Sequence, residues 1–160
     1  MPPHLLEPVA PVDRRQSETA LLIARGTRRY LRALGFATLA EMSLRSGRRA
    51  DLVALGTDGT LLIVEIKSSV ADFRADSKWR DYRAYCDKLH FAVTADMPQE
   101  IMPDDAGLLV ADSYGAGLVR DAPEHRLAPA RRRLMTLQFA QLAANRLHGL
   151  SDPLLREHAR

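Results

Sequence analysis

Apolar and polar positions change period several times along the chain, and each change predicts an element. From Glu18 to about Leu34 the apolar residues Leu21, Leu22, Ala24, Leu31 and Leu34 recur with helical spacing, with Ser17 placed to cap the helix and Gly35 to end it. Residues 36–45 alternate as a strand does, and Ser46-Gly47 turns the chain into a second strand that opens at Asp51. Two almost wholly apolar runs follow, Leu52 to Leu55 and Leu61 to Ile66, separated by the turn signal Thr57-Asp58-Gly59. After Ser68 and Ser69, residues 70–86 read as helix in one or two pieces, residues 88–94 as a fourth strand, and residues 95–107 as a loop with room for one helical turn. LLVAD and GLVRD flank Ser-Tyr-Gly-Ala as a late hairpin at the sheet edge, and a last helix runs from about Pro129 to Leu147.

The order predicts an α/β fold: a three-strand antiparallel meander, then a helical crossover that allows the fourth strand to pair in parallel, with helices on both faces. One domain over residues 17–148 is expected. A disordered tail of residues 1–16, with four prolines, precedes it, and a fraying tail of residues 149–160 follows.

The polar exceptions in the two apolar strands carry the candidate chemistry. A three-residue loop ending in a left-handed glycine pairs Gly56 with Thr60 and therefore Asp51 with Glu65. Side chains alternate with period two, so Asp51, Glu65 and Lys67 share one face in this register, whereas a two-residue loop breaks the trio. Two acids and a lysine in covered strands call for a compensating ion. Glu41, the one acid of the first strand, is a candidate fourth carboxylate, its side fixed by the parity of the loop at residues 45–48. Glu18, in the first turn of the first helix, is the weaker rival, because an acid there already suits the helix dipole.

Other residues extend the picture. Lys78, Asp81 and Tyr82 are the next polar groups within reach if the 70–86 segment returns past the carboxylates. Tyr82 and Tyr85 share a helical face, and the aromatics of this segment otherwise serve packing. Arg25, Arg28, Arg29 and Arg32 line one side of the first helix, and Arg131, Arg132 and Arg133 crowd the first turn of the last, where cations oppose the macrodipole; both groups are candidate phosphate contacts. His90, alone in an apolar strand, reads as structural, and so does Cys86 as a core filler.

The formal charge of +3 divides unevenly. Residues 1–50 hold nine Lys/Arg against four Asp/Glu, residues 51–119 six against twelve, and residues 120–160 eight against four. An acidic centre between basic ends suits a metal-dependent enzyme acting on a polyanion. The single cysteine rules out an internal disulfide and any multi-cysteine zinc site. No apolar run of membrane-spanning length and no signal peptide is present, and the expected location is cytoplasmic, at the nucleoid.

The runs GRRADLVAL, VEIKSS, DFRADSKWRDYRAYCDKLHFAV and GLLVADSYGA, in that order, resemble the MmcB-type DNA repair family within the PD-(D/E)XK, restriction-endonuclease-like nuclease superfamily, over residues 18–147. The resemblance implies a three-layer core of order α-β-β-β-α-β, a bacterial DNA-repair role and a nuclease activity. It makes Asp51, Glu65 and Lys67 the catalytic set, with Glu41 as the upstream acid. The superfamily's usual proline before the first acid is Ala50 here. Asp51, Glu65 and the carbonyl of Ile66 would then hold Mg²⁺ or Mn²⁺, hard ions that take oxygen ligands and keep several waters, while Lys67 stabilises phosphoryl charge. DNA, and other repair proteins, are the expected partners. The alternative is a non-catalytic DNA-binding or scaffold protein of a repair complex that keeps the nuclease fold.

Overall fold

The computed structural model describes residues 14–152 and 154–155. The expected tails therefore lie largely outside the described residues. Helix α1 spans Arg14–Ala33, so Ser17 falls inside it instead of capping it. Strands β1 (Ala37–Ser43), β2 (Arg49–Leu55) and β3 (Leu61–Ile66) follow, then α2 (Val70–Ala75), β4 (Lys88–Val93), β5 (Gly107–Ala111), β6 (Ala116–Arg120) and α3 (Pro129–Ser151). The last helix runs one turn past the expected Leu147, closed by the Asp152 N–H donating to the His148 carbonyl at 2.9 Å.

The six strands form one sheet in sequence order. β1, β2 and β3 are antiparallel, β4 pairs in parallel with β3 and β5, and β6 turns back antiparallel on β5. This is the mixed sheet the sequence predicts. The segment between β3 and β4 breaks in two because Asp76, past the end of α2, takes an extended conformation. Its second piece, Trp79–Tyr85, is a 3₁₀ helix. Trp79, Tyr82 and Tyr85, three residues apart, are its buried side chains, and three residues per turn puts them on one face where an α-helix would fan them out.

Alternation along the strands divides the core. Leu52, Ala54, Leu62, Val64, Ala92 and Leu109 pack under Ile23 and Leu31 of α1. Val53, Leu61, Ile63, Phe91 and Leu108 pack on the other face against Trp79, Tyr82, and Met135 and Phe139 of α3. The result is three layers, helix, sheet and helix. Trp79 meets Phe91 edge-on with ring centroids 5.2 Å apart. α1 lies close to the β5–β6 turn at Gly26, where a Cβ would stand 1.8 Å from the Asp112 carbonyl oxygen, so only glycine allows the approach.

Candidate active site

The turn chemistry sets the register as expected. The Gly56 N–H donates to the Thr60 carbonyl at 2.9 Å, and Gly59 has φ +86°. β2 and β3 then pair from Leu55↔Leu61 to Leu52↔Val64, which carries Asp51 to the position facing Glu65. Beyond Leu52 the side chains take over from the ladder. Glu65 Oε1 accepts the Asp51 N–H at 3.1 Å, and Asp51 Oδ2 accepts the Ile66 N–H at 2.8 Å. The two carboxylates thus cross-brace the ends of their strands.

Burial dominates their electrostatics. Glu65 is 3% exposed, and desolvation, then the charge of Asp51, pushes its carboxyl up to about 9. Desolvation also raises Asp51, against the lowering effect of the Ile66 N–H. Burial and mutual repulsion thus disfavour two negative charges at this pair. Lys67 is buried too, and its Nζ lies 2.8 Å from Asp76 Oδ2, so its close partner is Asp76 and not Glu65. Asp76 and Asp72 line the same cleft. Asp72 accepts the Ser68 N–H at 3.1 Å, and Ser69 caps α2 through the Asp72 N–H.

The cleft has a volume of about 740 Å³ and is walled by Ala20, Leu21 and Ala24 of α1 on one side and by Tyr82 on the other. The Tyr82 hydroxyl donates to the Arg49 carbonyl at 3.0 Å, and burial, with Glu65 and Asp51 close by, pushes its pKa up to about 12. It is a neutral wall. Glu41 stands in the row of Asp51, between the pairs Ala40↔Leu52 and Met42↔Ala50. It is exposed, has φ +54°, and reaches Arg49 at 3.8 Å; Arg146 of α3 donates to its carbonyl at 2.9 Å and also to that of Ala40. Glu41 borders the cleft, whereas Glu18, Lys78 and Asp81 are not among its lining residues. Asp81 pairs instead with Arg48 at 3.1 Å, and the Lys78 N–H donates to Asp76.

The arginine groups fare differently. Arg25, Arg28, Arg29 and Arg32 all line a second cleft of about 850 Å³ between α1 and β1. The cluster on α3 divides. Arg132 is committed to the fold: both its terminal nitrogens lie 2.7 Å from the oxygens of the buried Asp87, and Nη1 also donates to the Gly59 carbonyl. Arg131 stacks over the Tyr85 ring at 4.5 Å. Of the expected cluster, the central member is thus claimed by a buried carboxylate. His90, 5% exposed, lies on the α1 face of the sheet near Asp121, and Cys86 is 1% exposed with its thiol pushed up to about 12 by burial; both are core residues.

Sequence reasoning missed Asp76 and Asp87. Ser69-x-x-Asp72 is readable as a helix start, but nothing local marks Asp76 as the partner of Lys67, nine residues away, or Asp87 as that of Arg132. Among the described residues no group of three or more His, Cys, Asp or Glu side chains is set to hold a metal ion. A hard divalent cation needs only one or two carboxylates together with carbonyl and water oxygens. The Asp51–Glu65 pair, with the carbonyl of Ile66 beyond the last β2–β3 pair, offers such a donor set.

No helix among the described residues is long and apolar enough to cross a membrane. No curated protein matches the sequence. Among solved structures the fold is similar to the SPO1766 protein of unknown function from Silicibacter pomeroyi, 46% identical, with a TM-score of 0.81 over 84% of this chain and 92% of that one. The family model for MmcB-like DNA repair proteins matches residues 7–154, nearly the whole length, and the chain belongs to that DNA repair family.

Proposed function

We propose that the protein is a metal-dependent deoxyribonuclease of DNA repair, built on the PD-(D/E)XK pattern, with Asp51, Glu65 and Lys67 as its catalytic residues. One observation carries the reading. A buried and a half-buried carboxyl, Glu65 and Asp51, meet at the end of their strands in a cleft, and the nearest ammonium, that of Lys67, is bound to Asp76 and to neither of them. A fold that needed them only for stability would neutralise them with an arginine or replace them with apolar residues.

Asp51, Glu65 and the Ile66 carbonyl are the residues that would hold Mg²⁺ or Mn²⁺, and the bound ion would supply an activated water and Lewis-acid stabilisation of the phosphate. Lys67, held by Asp76 at the same cleft, offers an ammonium to a phosphoryl oxygen. Asp76 orients that ammonium. Tyr82, pinned to the Arg49 carbonyl, closes one wall and keeps the carboxyls dry. Glu41 at the rim is placed to contribute through a water.

A cleavage screen over single-stranded, duplex, flapped and branched DNA with Mg²⁺ or Mn²⁺ tests the proposal. Asp51→Asn, Glu65→Gln and Lys67→Ala should each lower metal-dependent cleavage by about a hundredfold or more, with DNA binding retained. Full activity in Glu65→Gln would remove the assignment to this site. A second reading, a non-catalytic DNA-binding scaffold, draws on the pairing of the buried Lys67 with Asp76, which already satisfies the lysine; it predicts no cleavage under any of these conditions.

A further inference from the structure

We infer that the arginine-lined cleft between α1 and β1 is a track for one DNA strand free of its complement, leading into the Asp51–Glu65 cleft. The position of its inner end rests on the proposed nuclease reading. The track itself rests on other observations. Arg25, Arg28, Arg29 and Arg32 lie at i, i+3, i+4 and i+7 along α1 and all line the trough, whose floor is Phe36, Ala37, Thr38 and Ala40. The trough and the acidic cleft share Leu21, Ala24 and Ala40, so the two are continuous.

Charge marks the trough as an anion path. Among the described residues Arg25, Arg29 and Arg32 are in no ion pair. Arg28 alone is tied down, its Nε donating to Thr38 Oγ1 at 2.9 Å, so that it struts α1 against β1. From Arg25 to Arg32 the helix rises about 10 Å, and with the reach of the arginine side chains this spans about three phosphates of an extended strand. The inner end of the trough is apolar. Leu21 is 67% exposed at the junction with the acids, offering a surface against which a base can lie.

Shape then separates single strand from duplex. The trough is bounded by one helix and one edge strand, and the acids at its end are recessed, Glu65 being 3% exposed. A stiff double helix presents its phosphates on a broad convex surface and meets ridges. A lone strand can bend down to a recessed pair.

Fluorescence anisotropy of the full chain in EDTA, comparing an oligothymidylate with a blunt duplex of equal length at fixed salt, tests the inference. The single strand should bind about tenfold tighter or more. The triple variant Arg25→Ala, Arg29→Ala, Arg32→Ala should lose about tenfold in single-strand affinity and flatten the log affinity against log salt slope by about 2, at about 0.7 per lost contact, with an unchanged Tm. Arg29→Ala alone should show a third of the slope change and serves if the triple variant melts early. Duplex binding as tight as the single strand, no binding to either, or an unmoved slope in both variants would overturn the track. The two readings fail separately: cleavage undiminished in Glu65→Gln removes the nuclease assignment and leaves the track, whereas equal duplex affinity removes the track and leaves the nuclease.

Discussion

Each end of β3 has a buried acid at it, Glu65 of the strand itself and Asp87 from the residue before β4, and the two are treated in opposite ways. At its start Asp87 packs beside Leu61, 2% exposed, and every lone pair has a donor: the Leu61 N–H at 2.8 Å, the Leu127 N–H at 2.9 Å, and the two nitrogens of Arg132. Burial alone would raise its pKa, but the Arg132 guanidinium and the two amides together bring it down to about 2. At its end Glu65 is as deeply buried, yet it accepts one backbone N–H and faces a second acid, so burial and the charge of Asp51 push its carboxyl well above the usual carboxylate range. Desolvation is common to both. The difference lies in compensation: Asp87 has been given its cation by the fold, and the Asp51–Glu65 pair has been left to find one.

The largest effect should come from breaking the compensated end. Arg132→Ala leaves Asp87 buried and unpaired, with an expected cost of about 3–5 kcal/mol, on the order of 10 °C in Tm. A thermal melt of the metal-free protein checks it, and a loss under about 1 kcal/mol would mean that the amides alone suffice.

A smaller, opposite effect is expected at the uncompensated end. Glu65 has a folded-state pKa above its unfolded one, so its contribution to stability is fully present below about 4.5 and is lost as pH rises towards about 9. The metal-free protein should therefore melt at progressively lower temperature across that window. Glu65→Gln should flatten the dependence and be at least as stable as wild type at the alkaline end; an equally steep curve in the variant would assign the slope to other groups.

The smallest effect is the most specific. Mn²⁺, which binds such sites more tightly than Mg²⁺, should raise Tm, since a ligand of the folded state alone stabilises it by RT ln(1 + [L]/Kd). At a concentration equal to Kd this is about 0.4 kcal/mol, or roughly one to two degrees. The shift should grow with pH as the competing proton leaves, and Asp51→Asn should abolish it. An Arg132→Ala protein that still folds should keep it. A melting curve unmoved by Mn²⁺ in the wild type would count against the metal site.

Much of this was legible in the sequence, for local reasons. Thr57-Asp58-Gly59 specifies a loop length, and loop length specifies which residue faces Glu65. The apolar runs specify a covered sheet. What was not legible depends on distance. Three consecutive arginines look alike, and only packing of α3 against the β2–β3 turn makes Arg132 structural, through Gly59 and an acid 45 positions away. The side of Glu41 was open because the parity of the preceding loop was open. Whether the 70–86 segment forms one piece or two was open in the sequence; the break falls at Asp76, and the 3₁₀ piece is set by where its three aromatics must be buried.

The β1–β2 turn repeats the β2–β3 one. Leu44 N–H donates to the Arg48 carbonyl across Arg45-Ser46-Gly47, with Gly47 at φ +85°, just as Gly56 bonds Thr60 across a loop ending in Gly59. Both loops have an odd number of residues, and this constrains how the gene can vary. Removing one residue from either loop favours a two-residue turn, which shifts the pairing by one and sends an acid to the opposite layer, into apolar core. Single-codon deletions at these turns should be lost in a deletion scan that tolerates substitutions at Arg45 or Thr57, although both loops lie on the surface, where length variation is ordinarily most free.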